Sequence, residues 1–178
     1  NLSSEITLQP MKRFDLDAAI IFSDILMVPY ALGQEVEFIK DVGPKLSKFN
    51  LSKFLSNDEK GFEEKMSPVY EAIKKTRSKL VKEKTLISFI GAPWTLLVYM
   101  LNLKIDKSRI SQQNLKKNEN DLNIIVEKLI GFLKTHIKKQ VEAGANVVQI
   151  FDSWAGLIPE EKLENLCFNP NLKLVEYC

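Results

Sequence analysis

Three short segments of the sequence combine small residues with polar or aromatic ones, and each follows a run of apolar residues. They are Ser23-Asp24, "GAPWT" at positions 91–95 and "DSWAG" at positions 152–156. Small residues allow a ligand to approach the backbone closely. If the three segments lie at one edge of a sheet, their hydroxyl, carboxylate and aromatic groups would line the wall of a single ligand pocket.

These side chains also have purely structural interpretations. A lone aspartate such as Asp24 caps a following turn more often than it takes part in catalysis. The other candidates have comparable alternatives: core packing for Trp94, Trp154 and Tyr99, a helix N-cap for Ser153, and a solvated strand end for Asp152. From spacing alone, the three segments indicate a ligand pocket but no particular reaction.

The sequence indicates neither a metal site nor a nucleotide site. Its single histidine, His136, lies in a lysine-rich helical pattern, where we expect it to be solvated or packed rather than catalytic. One histidine and two distant cysteines, Cys167 and Cys178, do not make a zinc site. Neither the glycine motif of dinucleotide-binding folds nor a P-loop is present, so nothing supports nucleotide binding.

Three apolar runs rich in Ile, Val and Phe are typical of buried parallel strands. They cover positions 18–22, 85–90 and 146–151, and each is followed directly by one of the three polar segments. Ligands in parallel α/β folds bind at the carboxyl ends of the strands. The sequence therefore predicts that the polar segments meet at one edge of a sheet.

Helical patterns separate these strands. Apolar residues recur every three or four positions over 122–141, and Gly144 is expected to end that helix. A shorter pattern over 69–80 is expected to begin at Ser67-Pro68, as N-cap and first helical residue. The mixed, polar stretch 40–65 is expected to be a surface excursion. Alternation of helices and strands in this order predicts an α/β fold with a parallel sheet.

Composition restricts the partners and the compartment. The chain is 45% hydrophobic and 27% charged with a net charge of +2, so we expect neither nucleic acid nor an anionic membrane as a partner. Its arginines are Arg13, Arg77 and Arg109, few for a site that grips carboxylates bidentately. No apolar stretch reaches the roughly 18 residues of a membrane span. Cysteines outside any CxxC pair favour reduced thiols in a cytoplasmic protein. Because the chain has no initiator Met and stops within an apolar pattern, we expect a piece of a longer protein.

Long blocks around the three segments resemble the uroporphyrinogen decarboxylase family. The first, "SEITLQPMKRFDLDAAIIFSDILMVPYALG", contains Asp24. The blocks "FIGAPWTLLVYM" and "GANVVQIFDSWAG" resemble the next two signature segments of the family, in the same order and at about the same spacing.

The resemblance implies a (β/α)8 TIM barrel. This chain, with residues 1–178 as one partial barrel domain, would hold about strands two to four. The implied enzyme is a cytoplasmic homodimeric carboxy-lyase that uses no metal and no cofactor. Its implied substrate is a tetrapyrrole, uroporphyrinogen III, whose four acetate side chains lose carbon dioxide to give coproporphyrinogen III in porphyrin and haem biosynthesis.

The resemblance also implies roles for four residues. Asp24, in "FSDIL", would reach the centre of the macrocycle, accept from its pyrrole N–H groups and stabilise positive charge on a protonated ring. Tyr99 would donate a hydrogen bond to a substrate carboxylate. Ser153, in "FDS", would contact the substrate as well, and Phe151 would form an apolar wall.

The chain departs from the family's pattern in two respects. The segment "LNLKIDKS" at 101–108 stands where the family has a glycine-rich, "EGGGS"-like loop. The family's "RQAGRY"-type arginine motif, which clamps carboxylates, and its later barrel strands, one with a substrate-contacting histidine, are not among these 178 residues. The isolated chain is therefore predicted to be inactive.

Two other functions stay open. One is that of a related barrel methyltransferase dependent on cobalamin or a thiol, which would need an H-x-C…C zinc motif in the second half of its barrel. The other is a non-catalytic piece or scaffold without a substrate. The sequences of the segments "FSDIL" and "APWTL" favour the decarboxylase.

Overall fold

The computed structural model describes residues 2–106 and 108–178. Helices and strands alternate along the chain, interrupted by two small hairpins. In chain order, the elements are α1 (Leu2–Arg13), β1 (Ala18–Ile20), α2 (Met27–Ala31), β2 (Val36–Ile39), β3 (Gly43–Leu46), α3 (Leu51–Leu55), α4 (Glu59–Arg77), β4 (Thr85–Gly91), α5 (Pro93–Met100), β5 (Lys104–Asp106), β6 (Arg109–Ile110), α6 (Gln112–Lys117), α7 (Glu119–Glu142), β7 (Val147–Phe151) and α8 (Asn169–Val175). A π-helical segment, Glu164–Phe168, leads into α8.

The strands β1, β4 and β7 form a parallel sheet with β4 in the middle. Ile20 of β1 pairs with Ile87 of β4, and Phe151 of β7 pairs with Gly91 at the other side of β4. Each of the three predicted strands is present, and the predicted α/β fold with a parallel sheet is confirmed. The carboxyl ends of all three strands therefore lie at one edge of the sheet.

β1 is shorter than the predicted run of 18–22. Ile21 still donates its N–H to the carbonyl of Ile87 at 2.9 Å. The N–H of Phe22, however, donates to the hydroxyl of Thr7 in α1 at 2.8 Å. This bond to a helix side chain takes the backbone out of the β ladder before Ser23-Asp24 is reached.

The two faces of the parallel sheet differ in their burial. On one face, side chains such as Ala19, Ile21, Leu86 and Ile90 are buried in a core that they share with α1, α4 and α7. The opposite face carries large apolar side chains that remain partly exposed: Ile20 58%, Phe22 58%, Val147 45% and Phe151 40%. The apolar runs were predicted to be buried, with 18–22 covered on both faces, and residues 2–106 and 108–178 cover one face of the sheet.

The long helix α7 follows its predicted periodicity. Leu122, Leu129 and Ile137 are buried along one side, whereas Val141, predicted to continue the stripe, is exposed. Gly144 adopts φ +107 directly after the helix, in the left-handed region that glycine reaches without strain. The chain then turns into β7, as predicted.

The start of α4 was predicted incorrectly. Its N-cap is Asp58, whose side chain accepts from the N–H of Gly61 at 2.7 Å, and Pro68 lies inside the helix rather than at its first turn. A proline inside a helix leaves the carbonyl four residues earlier without its usual N–H donor. Here the hydroxyl of Ser67 donates to that carbonyl of Glu64 at 2.8 Å, so the helix continues.

The predicted surface excursion over 40–65 contributes to the core. It contains the end of the β2–β3 hairpin, α3 and the first turns of α4. Leu46, Phe54 and Phe62 from this stretch are buried. The packing of this segment was not predicted because its apolar residues stand singly among charged ones in the sequence.

Candidate active site at the carboxyl ends of the parallel strands

The loops that follow the three parallel strands meet at Gly91, the last residue of the central strand β4. The backbone N–H of Ala92 donates to the carbonyl of Phe151 at 2.8 Å, which joins the loops after β4 and β7. On the other side, Ile25 from the loop after β1 lies close to Gly91, and a Cβ on Gly91 would be 3.2 Å from the Cβ of Ile25. The same Cβ would be 2.8 Å from Leu96 Cδ2 in α5. A glycine is needed here for the loop after β1 and the first turn of α5 to approach the end of β4 this closely.

Asp24 is exposed in the loop after β1. Its Oδ1 accepts from the backbone N–H of Leu26 at 2.8 Å, so the carboxylate caps the turn that leads into α2. Among the described residues, no hydrogen bond to Oδ2 is present, and this oxygen is available to a ligand. Asp24 is one of the residues that line a cavity of about 560 Å³. Other residues that line it include Ser3, Phe22, Ser23, Met27, Phe38 and Val69.

Tyr99 lies on α5, the helix that follows β4. Its ring packs against the ring of Trp154, from the loop after β7, with centroids 6.1 Å apart and an interplanar angle of 67°. The Nζ of Lys104 lies 4.6 Å from the centroid of the Trp154 ring. Lys104 is the first residue of β5, which lies within the divergent "LNLKIDKS" segment and pairs with β6. Tyr99, Trp154 and an ammonium group are thus grouped on one side of the sheet edge.

The first turn of α5 holds the loop that contains Ser153. The hydroxyl of Thr95 donates to Asp152 Oδ1 at 2.7 Å and accepts from the N–H of Trp154 at 3.2 Å. The indole N–H of Trp94 donates to the carbonyl of Trp154 at 2.8 Å. Ser153 lies between these anchored residues and its side chain is exposed.

Asp152 is held on its other side by the segment that leads into α8. Its Oδ2 accepts from Nδ2 of Asn171 at 3.2 Å and from the thiol of Cys167 at 3.5 Å. Burial raises the pKa of the Cys167 thiol, and the neighbouring negative charge of Asp152 raises it further. The thiol therefore stays protonated, as a donor to the carboxylate.

The structure thus places Tyr99, on α5, against the segment after β7 that contains Ser153, and Phe151 is the last residue of β7. Phe151, on the open face of the sheet, packs its ring against Phe89 with centroids 5.3 Å apart. Asp24 lies across the end of β4 from these residues, in the loop after the other neighbouring strand. The predicted convergence of the polar segments at one edge of the sheet is confirmed.

Comparison with known proteins identifies the family of this chain. A sequence model of the family described as "Uroporphyrinogen decarboxylase" matches residues 1–178. The chain belongs to the uroporphyrinogen decarboxylase family. Its relatives include the uroporphyrinogen decarboxylases of Rickettsia bellii, 42% identical over 98% of this chain and 52% of that protein, and Orientia tsutsugamushi, 40% identical over 98% of this chain and 51% of that protein. The chain therefore spans about half the length of the curated relatives it matches.

A solved structure shares the fold of this uroporphyrinogen decarboxylase family member. A methyltransferase from Methanosarcina mazei superposes with a TM-score of 0.74 over 99% of this chain and 53% of that protein. The two sequences are 19% identical, so the likeness concerns the fold and not the chemistry.

Several residues that build this site in the family member were not predicted from its sequence. Thr95 lies within "GAPWT", and its position directly after a strand was the signal available for it. Asn171 is 19 residues from Asp152 in the sequence, and no local pattern connects the two. His136, expected to be solvated or packed, is packed: it is buried in α7, with Nδ1 3.2 Å from the hydroxyl of Tyr70.

Neither a metal-ligand cluster nor a membrane-spanning helix is found in the described residues of this family member. Across residues 2–106 and 108–178, no group of three or more His, Cys, Asp or Glu side chains is arranged to hold a metal ion. Within the same residues, no helix has the length and apolar character needed to cross a membrane.

Proposed function

We propose that the protein decarboxylates uroporphyrinogen III, removing carbon dioxide from its four acetate side chains to give coproporphyrinogen III. One observation carries this proposal. Asp24, the acid of the "FSDIL" segment, is exposed at the carboxyl end of β1, at the sheet edge where the other candidate side chains gather. Membership of the uroporphyrinogen decarboxylase family supports the assignment of this edge as the substrate site.

In the proposed mechanism, the substrate ring is first protonated at a pyrrole carbon. The positively charged ring then accepts the electron pair of the bond to the carboxylate, and carbon dioxide leaves. The exocyclic methylene that remains takes up a proton to become the methyl group, and the ring carbon gives up the proton that it gained first, which restores the neutral pyrrole. The ionised carboxylate of Asp24 would accept hydrogen bonds from inward-pointing pyrrole N–H groups. It would also stabilise the positive charge that develops on the ring, an electrostatic contribution that requires no rearrangement during the reaction.

The remaining candidate residues would bind the substrate. The hydroxyl groups of Tyr99 and Ser153 would donate hydrogen bonds to substrate carboxylates, and Phe151 would contact the apolar face of the macrocycle. The ammonium group of Lys104, beside Trp154 and near Tyr99, would add a positive charge at the same rim. None of these roles requires a metal ion or a cofactor.

We propose that the full-length protein is a cytoplasmic homodimer. Residues 1–178 would contribute about strands two to four of its (β/α)8 barrel. The sheet supports this extension, because within the described residues β1 and β7 have no strand on their outer edges. Its partly exposed apolar face, with Ile20 and Phe151, is what the inside of a barrel wall would present.

The experiment that tests the function uses the natural polypeptide that carries this sequence, at its full length. Purified protein is incubated with uroporphyrinogen III under reducing, oxygen-free conditions, and the products are oxidised and separated by their number of carboxyl groups. We expect intermediates with fewer carboxyl groups and then coproporphyrinogen III. Recovery of unchanged substrate would contradict the proposal. Methyl transfer to a thiol in a parallel assay would then identify the methyltransferase function that the shared fold also allows.

A further inference from the structure

The loop that contains Ser153 is attached to the first turn of α5 through one buried hydroxyl group. Thr95 has no solvent exposure. Its Oγ donates to Asp152 and accepts from the N–H of Trp154, the two residues on either side of Ser153. Since the donated bond goes to a carboxylate, it is of the stronger, charge-assisted kind.

Ser153 depends on this attachment for its position. Its own side chain is exposed, so the surrounding side chains do not fix it by packing. Its backbone is held because both neighbours are bonded to the same oxygen atom, and because the carbonyl of Trp154 accepts from the buried indole N–H of Trp94. A change at Thr95 would remove one hydrogen bond from each neighbour of Ser153 at once.

The same attachment sets the relation between Ser153 and Tyr99. Thr95 and Tyr99 are four residues apart on α5, one helical turn, and the ring of Tyr99 packs against Trp154. The helix that carries one candidate carboxylate-binding hydroxyl therefore also fixes the loop that carries the other.

We propose that Thr95 is a positioning residue for substrate binding, which acts by holding Ser153 at a fixed place relative to Tyr99. This inference rests on the proposed function, because it assigns Ser153 and Tyr99 to the binding of substrate carboxylates. Thr95 itself is fully buried and does not contact the substrate.

Three variants of the natural full-length polypeptide test the inference. Thr95→Val has nearly the same shape but can neither donate to Asp152 nor accept from Trp154. Thr95→Ser keeps the hydroxyl. Thr76→Val is the matched control, because Thr76 is equally buried but its hydroxyl donates to Ala72 within its own helix, 2.7 Å away, outside the site.

We expect Thr95→Val to raise KM for uroporphyrinogen III by ~5- to 10-fold, the effect of one or two lost hydrogen bonds, with kcat changed less than about twofold. Thr95→Ser and Thr76→Val should keep the wild-type KM. In a Ser153→Ala background, Thr95→Val should add little to KM, because the residue through which it acts is already gone. A merely structural role would lower the melting temperature and the active fraction without this dependence on Ser153.

The outcomes separate the inference from the proposed function. If the wild-type protein does not decarboxylate uroporphyrinogen III, the proposed function fails and the inference falls with it. If the wild type is active and Thr95→Val has an unchanged KM, or has the same effect with and without Ser153, the inference alone is overturned. Should Thr95→Val not fold, Thr95→Ala removes the same two hydrogen bonds without a methyl group beside the Asp152 carboxylate, and the same expectations apply to it.

Discussion

Asp24 and Leu26 are joined by a hydrogen bond in which the carboxylate Oδ1 accepts from the backbone N–H at 2.8 Å. This is a turn-capping contact that aspartates commonly make, whatever the function of the protein. It occupies one of the two carboxylate oxygens, and the side chain remains exposed at the end of β1. Capping and a catalytic role are therefore compatible at this residue, and a substitution can separate them.

Asp24→Asn should abolish most of the activity without disturbing the turn. Asparagine keeps an oxygen that accepts from Leu26, and it is favoured at such turns. It removes the negative charge that the proposed mechanism places beside the protonated ring. The loss of one preorganised electrostatic contact lowers kcat by ~10²–10³-fold. The measurement is the initial rate of carbon dioxide release, with circular dichroism to verify folding.

The control for this substitution is Asp24→Ala, which removes the charge and the cap together. We expect it to be as inactive as Asp24→Asn and also less stable, by about 1 kcal/mol for the lost hydrogen bond. If Asp24→Asn retains activity within about threefold of the wild type, Asp24 is a turn cap and nothing more.

Gly91→Ala should destabilise the protein and disturb the site. A Cβ at this position would lie 2.8 Å from Leu96 Cδ2 and 3.2 Å from the Cβ of Ile25, so the loops after β4 and β1 would have to separate. Such overpacking lowers the free energy of unfolding by about 1–3 kcal/mol. Urea denaturation of the full-length protein provides the measurement.

The matched control for this substitution is Gly131→Ala. Gly131 lies within α7, and a Cβ there would meet nothing within 4 Å. Alanine is favoured over glycine inside helices by about 0.5–1 kcal/mol, so this variant should be more stable than the wild type. Equal effects of the two substitutions would show that the crowding at Gly91 is unimportant.

Acid should destabilise the protein through His136. Burial lowers the pKa of His136 from 6.5 to about 3, so the folded state keeps this imidazole neutral while the unfolded chain protonates it. The stability from the neutral form is fully present above pH 6.5 and is lost as the pH falls from 6.5 towards 3. The slope approaches about 1.4 kcal/mol per pH unit within this window.

The pH dependence of His136 is measured by denaturation at pH 7 and pH 5, for the wild type and for His136→Gln. Glutamine keeps a polar group near the hydroxyl of Tyr70 but does not titrate. The wild type should lose more stability than the variant between the two pH values. Parallel loss in both proteins would mean that His136 becomes protonated without unfolding.

The parts of the fold that were predictable from sequence are those set by contiguous patterns. Apolar runs located β4 and β7 to within one residue, and the periodicity of α7 identified its buried side. The start of α4 was predicted incorrectly because proline is favoured in the first turn of a helix. Here the hydroxyl of Ser67 replaces the N–H donor that Pro68 lacks, so the proline lies inside the helix. This contact lies within a single helical turn, and a Ser-Pro pair alone fits both the start and the interior of a helix.

The same distinction applies to the site. Polar residues directly after strands were found because their position alone marks the sheet edge. The contact between Asp152 and Asn171 was not predictable, since it depends on how the segment after β7 folds back. The role of Gly91 was likewise hidden, because it follows from the approach of Ile25 and Leu96 and not from a turn.

The 178-residue chain on its own should self-associate. One face of its parallel sheet presents Phe22 and Ile20, each 58% exposed, and an apolar surface of this kind is buried by association. The outer edges of β1 and β7, which pair with no strand of the described residues, favour the same outcome. Light scattering and sedimentation of the purified chain should detect oligomers at micromolar concentrations, and Phe22→Ser should reduce them. Phe168→Ser is the control, because Phe168 is 56% exposed but lies in the π-helical segment rather than on the sheet. A soluble monomer that unfolds cooperatively would show that the exposed sheet face is stable in water without a partner.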